Sequence, residues 1–478
     1  MQVPKYLTIS EFRKELGLPL VFTKKLIQWG LVGAYITADG TLRIAESEIH
    51  KTREILKHPW KKSKLFFRSL GPGLITGASD DDPSGIATYS SVGAQFGLGL
   101  LWMVLWTTPM MMAIQEACAR IGVITNKGLA GVLKKYYSRK IVAVAVLLLL
   151  IANTVNIGAD LGAMAASLKL LVDINFITAA AFFSILVILL EIFVPYHTYV
   201  KVLKWLTISI FAYAVTGIII HPDWAEVIGR TVRPEFQFNI AYIFAIVAFL
   251  GTTITPYLFF WQTSEEVEEN KLDGFEASKM TPYKVGLRIA SMRTDVKTGM
   301  ILSNLISFFI VVTTASVLYK NGIFNIGSAE QAAEALRPLA GDYAYLLFAS
   351  GIIGVGLLAV PILAGSAAYA LSELFNWREG LEKKFSQAKS FYIIIAVSIL
   401  IGFLLNFIGL NPITALYYAA FLNGVIAVPL MIIIMIVGNQ EKIMGEETHP
   451  SWVKFFGWLG VVAMAVAVAL TFILIFLK

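Results

Sequence analysis

The chain has 478 residues, of which 57% are hydrophobic and only 15% charged, with a mean hydropathy of +0.71. A soluble enzyme or soluble nucleic-acid-binding protein of this length would carry far more charge, whereas long apolar runs recurring through the chain predict a polytopic helical membrane protein. The net charge of +7 fits the excess of Lys and Arg that membrane proteins place in cytoplasmic loops, and the single cysteine, Cys118, excludes an internal disulfide.

Residues 1–62 differ from the rest and form the first predicted domain, with residues 63–478 as the transmembrane domain. About sixty polar and mixed residues precede the first apolar run, so no secretory signal peptide is expected. Ser10 is the expected cap of a short helix, Glu11 to Leu16, followed by a second helix from Leu20 to Trp29 that stops at Gly30. Tyr35-Ile36-Thr37 and Leu42-Arg43-Ile44 are predicted to pair around the Asp39-Gly40 turn, a strong hairpin signal. Ser47 and Glu48 open a third helix. The stretch LTISEFRKELGLPLVFTKKLIQWGLVGAYITADGTLRIAESEI resembles the small winged-helix domains of MerR-type regulators and excisionases. The resemblance implies DNA contact through Lys24 and Lys25. Tethering to a large membrane domain favours a cytosolic docking or regulatory module that binds a protein, because fold alone does not give function. Nucleic acid is therefore not the expected partner.

The segment from Lys57 to Lys64, with Trp60, reads as a basic juxtamembrane linker on the cytoplasmic side. Beyond it the rule of ~20 apolar residues per crossing gives about eleven spans, at 66–96, 98–121, 140–171, 175–195, 199–220, 239–264, 294–319, 341–375, 390–409, 412–437 and 452–477. Lys and Arg concentrate before the first span and after every second one, as at Lys134, Lys135, Arg139 and Lys140, which puts the N-terminus inside and, with an odd count, Lys478 outside. The acidic run Glu265-Glu266-Val267-Glu268-Glu269 reads as a solvated helical extension of the sixth span. In Pro109-Met110-Met111-Met112 adjacent sulfurs cannot converge on one ion, so packing is expected there.

The first span is interrupted at Asp80-Asp81-Asp82-Pro83-Ser84-Gly85. Carboxylates at membrane depth are costly and mark function by default, and a broken helix there is tolerated only against protein or a water-filled cavity. Asp82-Pro83 has the grammar of a helix start, Asp as N-cap and Pro at the first helical position. The end of the preceding half-helix offers free carbonyls, and carbonyls with a carboxylate make an oxygen cage for a cation. Asp82 is thus the leading metal ligand. Asp80 and Asp81, which repel their neighbour, are expected to act as a vestibule or second acidic position. The sixth span is interrupted at Gly251-Thr252-Thr253-Ile254-Thr255-Pro256, whose hydroxyls are candidate oxygen donors. Paired broken helices in corresponding halves are the best sequence pointer to a transporter site.

These stretches resemble the NRAMP divalent-metal transporters: GPGLITGASDDDPSGIATYSSVGAQFGLGLLW in the first span, ARIGVITNKGLAG after the second, and LGTTITPYLFF in the sixth. The resemblance implies an all-α, leucine-transporter-like inverted repeat (5+5), and divalent cation transport with no cofactor. Where the family carries Asp-Pro-Gly-Asn, this chain has Gly85 at the asparagine. Thr252 stands at the small residue of the family's sixth span, and Thr255 at its methionine. Losing a thioether favours harder ions, and the enlarged oxygen-lined pocket suits a partly hydrated ion such as Mg²⁺. The departures resemble an NRAMP-related branch carrying Mg²⁺ and Mn²⁺, and assign the metal to Asp82, Gly85, Thr252 and Thr255. Tyr257 and Gln262 occupy the family's histidine positions, and Asp160-Leu161-Gly162-Ala163 keeps only the aspartate of the third-span motif. Weak or no proton coupling follows, with Asp160 as a further acidic position lined by Asn153 and Asn156.

The expected function is therefore alternating-access transport of Mg²⁺ or Mn²⁺ across a bacterial inner membrane. The same fold also serves Na⁺- or H⁺-coupled organic-solute symporters, and a membrane-anchored metal-sensing regulator is a third reading. No P-loop, nucleophile elbow or metal-hydrolase spacing occurs, so the chain is not read as an enzyme.

Overall fold

The computed structural model describes residues 6–17, 23, 26–27, 32–36, 42–57, 72–194, 209–381 and 383–477. Lys24, Lys25, the Asp39-Gly40 turn, most of the predicted second helix, the basic linker beyond Lys57 and the first part of the predicted fifth span lie outside these residues.

At the N-terminal end, β1 (Tyr6–Thr8), α1 (Ile9–Leu16), β2 (Ala34–Ile36), β3 (Leu42–Ala45) and α2 (Ser47–Lys57) make a small unit. Its antiparallel sheet has the order β1-β3-β2: the predicted pairing of 35–37 with 42–44 is present as β2 with β3, starting one residue earlier at Ala34, and β1 adds an edge. The cap of α1 is Thr8 rather than Ser10. Thr8 and Glu11 form a reciprocal capping box, and Gly17 ends the helix at φ +64°. Leu7, Phe12, Leu26, Ile27, Val32 and Ile44 form its core.

The remaining elements that position the site are α3 (Pro72–Asp80), α4 (Pro83–Phe96), α5 (Trp102–Thr125), α6 (Arg139–Lys169), α7 (Phe176–Phe193), α8 (Phe211–Ile219), α9 (Ile240–Thr253), α10 (Pro256–Leu272), α11 (Pro282–Val317), α12 (Ala344–Phe375), α13 (Lys389–Leu405), α14 (Pro412–Val437) and α15 (Ser451–Phe476). Among the described residues, eight stretches are long and apolar enough to cross a membrane, not eleven. Each shortfall has a physical reason. The first predicted span is split into α3 and α4, each too short. The second, α5, is diluted by Gln115, Glu116 and Arg120, all buried. Of the fifth, only the last part, with α8, is described.

α3 and α4 pack against α11, and α9 against α14, while α6 runs between α12 and α14. The α3–α11 seam is a backbone contact. A methyl group at Gly73 would strike the main chain of Val296, and one at Gly77 that of Gly299. Small residues allow this close approach between membrane helices. The N-terminus of α3 is also tied to α11, where Gly73 N–H donates to Asp295 Oδ2 at 2.6 Å.

Two expectations change in the following segment. The helix does continue past the sixth span to Leu272, but it is not a solvated extension: Glu266 is fully buried, accepts from Gln262 Nε2 at 2.9 Å and lies 3.8 Å from Arg288. The next helix begins at Pro282, a dozen residues before the predicted span at about 294, because its first turns are held by Arg288 pairing with Glu269 and Asp273. In the methionine run, Met111 is core and its sulfur accepts from Asn304, as packing requires.

Candidate functional site

Both broken helices restart with the same local chemistry. In the first, α3 ends at Asp80 and Asp82 is the N-cap of α4, in an extended conformation with Pro83 behind it. Asp82 Oδ1 accepts from Gly85 N–H at 2.7 Å and from Ser84 Oγ at 2.6 Å. One carboxylate oxygen thus satisfies the orphan donors of the new helix. The other, Oδ2, accepts from the Tyr257 hydroxyl at 3.4 Å, whose main bond is to the Ser79 carbonyl at 2.8 Å. In the second break α9 ends at Thr253, Thr255 takes the N-cap position and Pro256 opens α10. The Thr255 side chain makes no cap bond, and its hydroxyl is buried near Tyr257.

The two breaks meet. Ser84 Oγ lies 3.5 Å from Thr252 Oγ1, and Tyr89 OH lies 3.1 Å from Thr253 Oγ1. A Cβ at Gly85 would sit 3.2 Å from the Asp80 carbonyl oxygen and 3.5 Å from Thr252 Oγ1. Gly85 therefore lets the start of α4 lie close against a helix-end carbonyl and a hydroxyl, where a larger side chain would crowd both. Asp82, Gly85 and Thr252 are brought together at this place. Thr255 stands at the other break two residues after Thr253.

Asp80 and Asp81 do not join them and do not face water. Both are fully buried and turn towards α11, where Ser303 Oγ donates to Asp80 Oδ2 at 2.7 Å and lies 3.3 Å from Asp81 Oδ1. Ser307 Oγ lies 3.5 Å from the same Asp81 oxygen. Consecutive residues at a helix end diverge, so these two carboxylates bond to α11 while Asp82 caps α4. Among the described residues no three His, Cys, Asp or Glu side chains converge to hold an ion. Any cation here would be held by one carboxylate plus neutral oxygens, a set that suits hard ions.

Asp160 of α6 is also fully buried and lies within electrostatic reach of Asp82 and Tyr257. Asn153 is a packing residue, donating to the Leu363 carbonyl and Ser366 Oγ of α12, whereas both amide atoms of Asn156 lack partners. Below the site, Thr76 Oγ1 donates to Gln262 Oε1 at 2.5 Å and links α3 to α10. Sequence reasoning missed Ser303 and Ser307, which carry no motif. Asn423 of α14 is likewise fully buried, and among the described residues neither of its amide atoms is partnered.

The profile of the family described as Nramp, natural resistance-associated macrophage protein-like, matches residues 73–475. A protein of Klebsiella pneumoniae named divalent metal cation transporter MntH is 26% identical over 413 residues, covering 84% of this chain and 93% of its own length. The protein of that name from Yersinia pestis is 27% identical over 410 residues, with the same coverage. Among solved structures, the Eremococcus coleocola manganese transporter superposes with a TM-score of 0.68 at 18% identity, over 84% of this chain and 85% of that one. Mhp1, a nucleobase-cation-symport-1 family transporter, superposes with a TM-score of 0.55 at 12% identity, over 85% of this chain and 92% of that one. These likenesses establish the fold, a mostly helical membrane protein of inverted-repeat transporter architecture similar to the leucine transporters. The family match begins at residue 73, after the N-terminal unit.

Proposed function

The chain belongs to the Nramp family and transports divalent metal cations by alternating access; we propose that its cargo is Mg²⁺ and Mn²⁺. It is an integral membrane transporter and not an enzyme. One observation carries the choice of ion. The meeting point of the two breaks brings the Asp82 carboxylate, the Asp80 carbonyl and the Thr252 hydroxyl together around Gly85, and among the described residues no three His, Cys, Asp or Glu side chains gather to hold an ion. Oxygen donors suit Mg²⁺ and Mn²⁺, and Mg²⁺ keeps several of its waters when bound.

In this reading Asp82 is the charged ligand, Gly85 sets the size of the pocket, and Thr252 and Thr255 donate oxygen directly or through water. Asp160 is a second acidic position. The two repeats pair the first and sixth crossings, and α3–α4, α5 and the stretch ending in α8 complete eleven crossings. Tyr257 and Gln262 do not titrate near neutral pH, so metal moves with weak or no proton coupling. The charge asymmetry of the loops supports a cytoplasmic N-terminus, and the membrane in this reading is a bacterial inner membrane. The N-terminal unit serves there as a docking or regulatory module for a protein partner.

The test is uptake of Mg²⁺ and Mn²⁺ into proteoliposomes with internal pH recorded at the same time. The parent is expected to take up both ions without one-for-one acidification. Uptake that persists unchanged in Asp82→Ala rejects the site, and stoichiometric acidification rejects the coupling.

A further inference from the structure

On α6, Asn156 and Asp160 stand one turn apart and share a face. Both are fully buried, and neither the two carboxylate oxygens of Asp160 nor the two amide atoms of Asn156 have a hydrogen-bond partner. The face continues to Met164, and a Cβ on Gly356 of α12 would meet both its sulfur, at 2.5 Å, and Pro83 Cγ, at 3.4 Å. That contact brings the Asn156–Asp160–Met164 ridge to the start of α4, beside Asp82. Asp160 interacts with Asp82 and Tyr257 through space but takes no hydrogen bond from the Tyr257 hydroxyl. Two buried carboxylates therefore look into one interior, and among the described residues neither pairs with Lys, Arg or His.

An isolated buried carboxylate costs several kcal/mol, and one divalent charge neutralises two of them. The unpartnered oxygens of Asp160 and Asn156 are all hydrogen-bond acceptors, while water bound to a cation is a strong donor. A bare ion against Asp82 would leave the acceptors of α6 unsatisfied; an ion that retains water satisfies both. We propose that Asp160 and Asn156 are outer-sphere ligands, holding the water shell of a partly hydrated divalent cation bound at Asp82. This rests on the reading of Asp82 as the ligand and adds what selects for hydration. The pair therefore favours Mg²⁺, which gives up water reluctantly.

Hexaamminecobalt(III) tests the idea. Its six ammines do not exchange, so it cannot ligate Asp82, yet their N–H groups mimic bound water. The full-length protein in proteoliposomes is assayed for Mg²⁺ and Mn²⁺ uptake with this complex as inhibitor. It is expected to inhibit Mg²⁺ uptake by the parent, and Asp160→Asn and Asn156→Ala are each expected to need about tenfold more of it, in the range seen when second-shell partners of a metal are removed. Mn²⁺ uptake is expected to fall less than Mg²⁺ uptake in both variants. Should Asp160→Asn fail to reconstitute, Asn156→Ala, which alters no charge, decides by the same readout. Absence of inhibition in the parent, or parental inhibition in the reconstituted variants, overturns the proposal while leaving Asp82 as ligand. A parent that carries neither ion sinks the underlying reading as well.

Discussion

The two helix breaks use the same Xaa-Pro restart and spend their capping residue differently. At the first, Asp82 gives one oxygen to Gly85 N–H and Ser84 and keeps the other almost free. At the second, Thr255 occupies the cap position but caps nothing. A carboxylate has enough lone pairs to serve structure and ligand together, whereas a hydroxyl must choose. The first break therefore carries both charge and fold, and the second supplies neutral oxygen at no cost to its helix.

Substitutions at the two breaks should separate accordingly. The largest effect is expected from Asp82→Ala, which removes charge and cap together; uptake of Mg²⁺ and Mn²⁺ should fall by about two orders of magnitude, the scale of losing a buried charged contact. Asp82→Asn keeps an acceptor for Gly85 N–H, so its thermal stability should remain closer to the parent while uptake is still lost. Next comes Gly85→Asn, which crowds the Asp80 carbonyl: Mg²⁺ uptake should drop about tenfold relative to Mn²⁺, as pocket-size changes do, measured as a ratio of initial rates. Thr255→Ala should be smaller still, lowering uptake a few-fold while leaving stability within about 0.5 kcal/mol. If instead Thr255→Ala destabilises as much as Asp82→Ala, the contrast between the breaks fails.

The smallest effect lies outside both breaks. His449, in the loop between α14 and α15, is buried against Gly438, and burial with the nearby Arg120 lowers its pKa from 6.5 to about 3. The unfolded chain binds this proton below about pH 6.5 and the folded protein does not, so the stability contribution is full above that pH and is lost as pH falls towards 3. Melting curves between those values should show a steeper acid loss for the parent than for His449→Gln, whereas Gly85→Asn and Thr255→Ala, which remove no titratable group, should follow the parent slope.

Much of this was legible in the chain. Asp82-Pro83 announces a restart through capping chemistry that operates over four residues, and Pro256 within an apolar run marks the second break. The aim of Asp80 and Asp81 was not legible, because it depends on Ser303, which lies 223 and 222 residues away, in a helix whose register no local pattern fixes. The burial of Glu266 was hidden for the same reason. An acidic run reads as solvated until Gln262 and Arg288 are placed beside it. Among the N-terminal residues, the hairpin signal predicted the strands, while the capping box of Thr8 and Glu11 displaced Ser10 by offering two bonds instead of one.

The glycine seam between α3 and α11 bears on how quickly the protein works. Where side chains interlock, moving one helix past another requires many rotamers to change together. At Gly73 and Gly77 main chain lies directly on main chain, so there is little to disengage on that side. Resistance to a tilt of α3 is then concentrated in a few discrete polar ties, among them those from Asp295 to Gly73 N–H, from Ser303 to Asp80, from Thr76 to Gln262 and from Tyr257 to the Ser79 carbonyl. Ties of that kind break one at a time. The half-helix is thus mounted as a lever on a smooth bearing, with its stiffness set by a few replaceable pins.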